Sequence, residues 1–206
     1  MYARDCIAIM EHATATPDGL RDVVEFTICT VNMPLSRVLD MRLDIKSNGL
    51  NSKWLSGTKR AGFEYTAKHS TMLHDALLQV ADMHGIGTID GAVNALDVLM
   101  SIPGIGMVKA GFIAQMMGFN VACLDRHNIR MLGMKEGDVR ISKSLSDKSR
   151  RTKLREYVKL TRRKGAEYWW DTWCNYVAEK AGLNKSLPTG DAVSAYHVDA
   201  VMMKRT

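Results

Sequence analysis

The chain has 206 residues, 46% of them hydrophobic and 24% charged, with a net charge of +6. This balance excludes wholesale disorder, and the length suits one domain or two closely packed lobes. Cys6, Cys29, Cys123 and Cys174 form no C-x2-C pair, which argues against a zinc site and a four-cysteine iron–sulfur cluster. No run of about 18 apolar residues reads as a membrane span. Met1 to Met10 does not read as a secretory signal, so a reduced, cytoplasmic setting is expected.

Taken in chain order, the segments read as helical. Val23 to Val31 is the best strand candidate, but its place after Thr16-Pro17-Asp18-Gly19 suits a buried helix equally well. A helix is expected from Pro34 through Leu43, with the proline in its first turn, and then a loop at Ser47 to Asn51. The spacing of Met72, Leu73, Ala76, Leu77, Val80 and Ala81 predicts a helix over 70–84. Gly85-Ile86-Gly87 ends it, and Thr88 or Asp90 caps the next helix. Ser101 to Gly106 is a tight turn, Met107 to Met117 a helix stopped by Gly118, and Arg126 to Met131 the start of another. A helix through Tyr168 to Lys180, a loop over 182–190 and a closing helix over 191–203 complete the reading.

The turn Ile102-Pro103-Gly104-Ile105-Gly106 carries the first chemical signal. Two glycines one residue apart are expected to turn the backbone sharply with positive φ, and their missing side chains let another chain approach the amides. The turn feeds a helix N-terminus, whose free N–H groups and dipole favour an anion. Lys109 in the first helical turn does not help that dipole, and an external phosphate would explain it. A plain corner with glycines for geometry is the competing reading.

The charge is concentrated. Arg140 to Lys164 holds eleven basic residues against Asp147 and Glu156, a net of +9, and leaves −3 in the rest of the chain. Such a run suits a polyanion, whose phosphates release counterions on neutralisation. It suits a solvated face equally well.

About 20 residues beyond the turn comes Cys123-Leu124-Asp125-Arg126-His127-Asn128-Ile129-Arg130. Turn and segment together resemble the helix-hairpin-helix DNA glycosylase superfamily, which shows a Leu-Pro-Gly-Val-Gly hairpin followed by an apolar-Asp-x-His-x-x-Arg segment. The resemblance is strong from Ala95 to Met134, and the short, clusterless form is similar to phage-encoded members. It implies an all-α fold of two helical lobes with a cleft between them. It implies one glycosylase-like unit over 1–206, with the hairpin at 92–118, the catalytic segment at 122–134 and the basic segment at 140–164. Asp125 would be the catalytic carboxylate, beside the oxocarbenium-like sugar of a base flipped out of the duplex. Its competing role is the N-cap of the helix that starts at Arg126.

By the same resemblance Gly104, Ile105, Gly106, Val108, Lys109, His127 and Arg130 are candidate DNA contacts. His127 would orient Asp125 or touch phosphate, or else be an ordinary helix histidine. Family members that also cut the strand place a Schiff-base lysine where this chain has Val108. Lys109 is one residue later, about 100° further round the helix. Valine cannot be a nucleophile, so strand cleavage by that route is not expected.

Elsewhere, Trp169, Trp173 and Tyr176 fall on one helix face, the mark of core packing, with base stacking as the alternative. Trp54, in the loop-like segment Asn51-Ser52-Lys53-Trp54 near Lys59 and Arg60, is either an aromatic anchor or part of a groove. The expectation is a monomeric, monofunctional N-glycosylase acting on double-stranded DNA. No metal and no cofactor are called for, apart from a monovalent cation that some family members hold at the hairpin. Two other readings stand beside it: a non-catalytic DNA-binding module, and an enzyme that modifies a flipped base.

Overall fold

Thr16 and Pro17 set the first corner of the molecule. The structure, a computed structural model, describes residues 4–142 and 144–180, without the side chains of Arg4, Asp5, Leu35, Ser36, His127, Glu136 and residues 175–180. The loop and closing helix expected over 182–203 lie outside the described residues. Every regular element among them is helical, so the class is all-α. No helix among them is long and apolar enough to cross a membrane.

Helix α1 (Arg4–Ala15) meets α2 (Pro17–Cys29) where the Thr16 hydroxyl accepts from the Gly19 amide at 3.0 Å. A Cβ at Gly19 would lie 1.8 Å from the His12 carbonyl oxygen, so only glycine permits this corner. The segment left open between strand and helix is therefore helical up to Cys29, started by a capping threonine and a first-turn proline. Helix α2 is central and packs against α1 and three later helices. It carries two buried carboxylates, Asp22 and Glu25. His12 meets Asp22 at 3.0 Å, Arg21 meets Glu25 at 2.6 Å, and buried Arg42 reaches Glu25 at 3.4 Å. Buried charges are tolerated only when paired in this way.

Two helices are longer than expected. Helix α3 (Leu35–Asn48) starts after Pro34 and runs past Leu43, and a 3-10 turn (Gly49–Asn51) replaces most of the expected loop. Helix α4 (Gly57–His84) starts well before Ser70. Of its early buried positions, Gly62, Phe63 and Thr66, only Phe63 is a large apolar residue. A Cβ at Gly62 would sit 2.7 Å from the Pro103 carbonyl oxygen. Close approach, not a hydrophobic stripe, defines this face, and a search for apolar spacing passes over it.

Helices α5 (Ile89–Leu99) and α6 (Met107–Met116) follow, with Thr88 as the cap of α5, its hydroxyl accepting from Gly91 N at 2.9 Å. Gly118 ends α6 region with φ 84°. Beyond come α7 (Arg126–Met131), α8 (Asp147–Arg162) and α9 (Ala166–Lys180). The buried apolar side chains, from Cys6 to Cys174, form one contiguous cluster.

The basic segment does not stand free. Arg150 pairs with Asp97 at 2.7 Å, Arg151 donates to the Asn94 side chain at 3.1 Å, and Arg155 pairs with Asp90. Asp90, Asn94 and Asp97 are spaced four and three apart along one face of α5. Three of the eleven cations thus hold α8 against α5.

Candidate functional site

The turn between α5 and α6 is anchored from below. Ile102 and Ile105 are buried, and Ile105 N donates to Ile102 O at 3.1 Å. Pro103 and Gly104 occupy the two central positions, and Gly104 has φ 85°. A positive φ at the second central position, after proline, is the signature of a type II turn. Gly106 departs from expectation: its φ of −95° and ψ of 174° are extended backbone open to any residue. A Cβ there would meet nothing within 4 Å. Its value is therefore openness, since it caps α6 without any side chain over the first-turn amides of Met107 to Lys109. Ile105 turns its side chain into the core and leaves only its backbone for an outside partner.

The segment that carries Asp125 crosses over α6 at Gly111. A Cβ there would lie 2.6 Å from the Ala122 carbonyl oxygen and 2.8 Å from the Tyr157 hydroxyl. Tyr157 is buried. Its hydroxyl donates to Ala122 O at 2.8 Å and accepts from Leu124 N at 3.1 Å. Burial pushes its phenol well above the ordinary range, so the donor proton stays in place. Asp125 follows directly and caps α7, accepting from Asn128 N at 2.9 Å. Asn128 in turn donates to Cys123 O at 3.0 Å.

Asp125 lines a cavity of about 670 Å³. The α6 wall carries Val108, Lys109, Phe112 and Gln115. Opposite are Thr30, Asn32, Met33 and Pro34 from the connection between α2 and α3, and α9 closes a third side with Trp169, Trp170 and Trp173. The aromatic rings run in sequence. Phe26 lies 6.1 Å from Phe112, Phe112 lies 6.3 Å from Trp170 with planes only 18° apart, and Trp170 lies 5.7 Å from Trp173. Trp169 is held by its indole N–H on Thr161 O at 2.9 Å.

Lys109 reaches into this cavity. Its ammonium donates to Thr30 Oγ1 at 2.9 Å, and that hydroxyl donates onward to Thr27 O at 2.7 Å. Burial pushes the nearby Cys123 thiol up to about 12, against the opposing pull of the Lys109 charge. A thiol so raised is neutral near pH 7 and is no nucleophile. Among the described residues no three His, Cys, Asp or Glu side chains are grouped as a metal site requires.

The structure thus brings Asp125, Val108 and Lys109 to one cavity, with Arg126 beside them. Arg130 is exposed on α7 and is not part of the cavity wall. His127 lies in α7 by its backbone, and its side chain is outside the described residues. The α9 tryptophans pack against the core and also line the cavity. Trp170 completes their wall, while the Tyr176 side chain is outside the described residues. In the connection at 30–34 the sequence marks only the helix start at Pro34, and nothing there announces a cavity wall. Val108, Phe112 and Gln115 did carry a signal, because their spacing of four and three puts them on a single helix face. A comparison of the chain with family models, with curated proteins and with solved structures returns no match.

Proposed function

We propose that the chain is a base-flipping DNA N-glycosylase of helix-hairpin-helix type. The carrying observation is that the Asp125 carboxylate and the α6 face just behind the hairpin are walls of one aromatic cavity. In this reading the hairpin amides hold the DNA backbone. The target nucleotide leaves the stack and its base slides among Phe112, Trp170 and Trp173, where π-stacking contributes roughly 1–3 kcal/mol per base.

The sugar C1′ then lies near Asp125. The N-glycosidic bond breaks and its electron pair leaves with the base. The carboxylate stabilises the positive charge on the sugar, and water adds to C1′, its proton going to the departing base anion. Asp125 remains the α7 cap throughout, with Oδ1 on the Asn128 amide. The position of the family's lyase lysine is Val108, so water is the nucleophile.

A second reading rests on the Lys109 ammonium, which lines the same cavity by way of Thr30. After losing a proton, its amine would attack C1′ of the abasic sugar and form an imine with loss of water, opening a route to strand cleavage.

The test is an excision assay on duplexes carrying uracil, 8-oxoguanine, alkylated purines, mismatches and phage-type modified bases. Wild type is run beside Asp125→Asn, with and without alkali. Abasic sites from wild type alone are the expected result. DNA binding without abasic product across the whole panel would overturn the reading.

A further inference from the structure

Trp54 is half-buried, and two cations lie against its ring. The Arg37 guanidinium carbon is 5.1 Å from the ring centroid and the Lys53 ammonium 5.8 Å. Cation–π attraction of about 0.5–1 kcal/mol at exposed sites explains one such contact. Two cations gathered on a single ring repel each other, and both are exposed. Arg37 also lies 3.8 Å from Asp40, with both side chains more than half exposed, a weak pair at most. An anion bound beside either charge would lower that repulsion.

The position of the two cations in the fold selects the anion. Arg37 is in the first turn of α3, three residues after the cavity-lining Pro34. Trp54 lies three residues before the first residue of α4, whose first turn touches the hairpin: a Cβ on Gly104 would lie 2.9 Å from Thr58 Cγ2. Lys59, next in that turn, donates to Cys29 O at 3.4 Å, beside the Thr30 that holds Lys109. The cation pair thus sits on the two segments, the start of α3 and the approach to α4, that lead to one cavity wall and to the hairpin.

We propose that Arg37 and Lys53, held on the Trp54 ring, form a phosphate-binding patch that grips the DNA strand beside the flipped nucleotide. This rests on the DNA-binding reading given above and extends the contact surface from the hairpin to the α3–α4 junction. Successive phosphates on one strand supply closely spaced negative charges, which two cations on one rigid ring match.

The experiment measures affinity for an unmodified 20-base-pair duplex as a function of salt. Full-length wild type is compared with Arg37→Gln/Lys53→Gln and, as a hairpin control, with Gly106→Arg. Both substituted faces are open, and thermal melts check that the variants fold. Loss of two phosphate contacts is expected to lower the slope of log K against log salt by about 2. A slope equal to wild type overturns the patch. If in addition the double variant loses binding to phosphatidylserine vesicles that wild type binds, the surface belongs to a membrane. If Gly106→Arg loses binding while the double variant keeps the full slope, the hairpin reading survives and the patch fails. Wild type that does not bind the duplex overturns both.

Discussion

Tyr157 donates to the carbonyl of Ala122, 35 residues earlier in the chain, and also accepts from the amide of Leu124. One buried phenol on α8 thus fixes the short stretch that ends at Asp125, and Gly111 on α6 leaves the room for it. Tyr157→Phe removes both bonds and strands two buried backbone groups, each costing roughly 1–3 kcal/mol. Urea unfolding is expected to report this loss. Excision kinetics on the folded variant are expected to show a lower kcat with KM little changed, because the carboxylate and not the DNA contact is displaced. Gly111→Ala drives a methyl against a backbone oxygen and is expected to cost roughly 1–3 kcal/mol by overpacking.

Asp125 has a capping role in the structure and a chemical role in the proposal, and two substitutions separate them. Asparagine caps helices as well as aspartate does, whereas alanine costs typically about 1 kcal/mol. Asp125→Asn is therefore expected to keep the melting temperature of wild type while excision falls by orders of magnitude. Asp125→Ala is expected to lose both. Full excision by Asp125→Asn would remove the carboxylate from the chemistry.

The Lys109 amine gives a covalent test. Borohydride added to wild type on a duplex with a ready-made abasic site traps any imine as a stable protein–DNA adduct. If the second reading holds, an adduct appears and Lys109→Ala abolishes it. If water alone is the nucleophile, the gel shows no adduct from either protein.

Stability is expected to fall in alkali. Burial pushes both Cys29 and Cys123 up to about 12. In the unfolded chain such thiols ionise near pH 8.5. Between that value and 12 the unfolded state has lost protons that the native state keeps, so stability drops as pH rises, by about 1.4 kcal/mol per pH unit for each cysteine. Below that window the contribution is fully present. Tyr157 acts in the same sense, while Lys59, pulled down by burial, acts in the opposite one. Urea midpoints at pH 8 and pH 10.5 measure the sum, and Cys123→Ala should flatten the difference.

The α5–α8 ion pairs predict a salt-dependent stability. Asp90→Asn with Asp97→Asn removes the partners of Arg155 and Arg150. Exposed pairs are worth roughly 0.2–1 kcal/mol each and are screened by salt. The double variant is expected to melt a few degrees lower at low salt and to match wild type at 1 M.

Particular residues show what could be read from sequence and what could not. Local signals held where local chemistry decides the outcome. Thr88 caps α5, Gly104 turns with positive φ, and Asp125 stands immediately before α7. The first half of α4 was hidden because Gly62 and Thr66 occupy its buried face for reasons of space. Gly106 was expected to have positive φ, but an extended residue serves an open helix start as well. Most of the cavity was not legible, since its walls come from α2, its following connection, α6 and α9. Which distant segments meet is a property of the packed chain, and the tryptophan spacing indicated a buried face without naming the space it borders. The basic run suits a polyanion or a solvated face, and nothing local announces that three of its arginines have partners on α5.

The cavity's walls come from widely separated parts of the chain, from Phe26 to Trp173. A ribosome making this protein releases the hairpin and Asp125 long before α9 emerges. Until then the nascent chain has an open trough where the finished protein has a box of aromatic rings. In the proposed reading the hairpin amides therefore emerge before the compartment that base excision needs, and a product truncated ahead of Trp169 is expected to hold DNA without altering it.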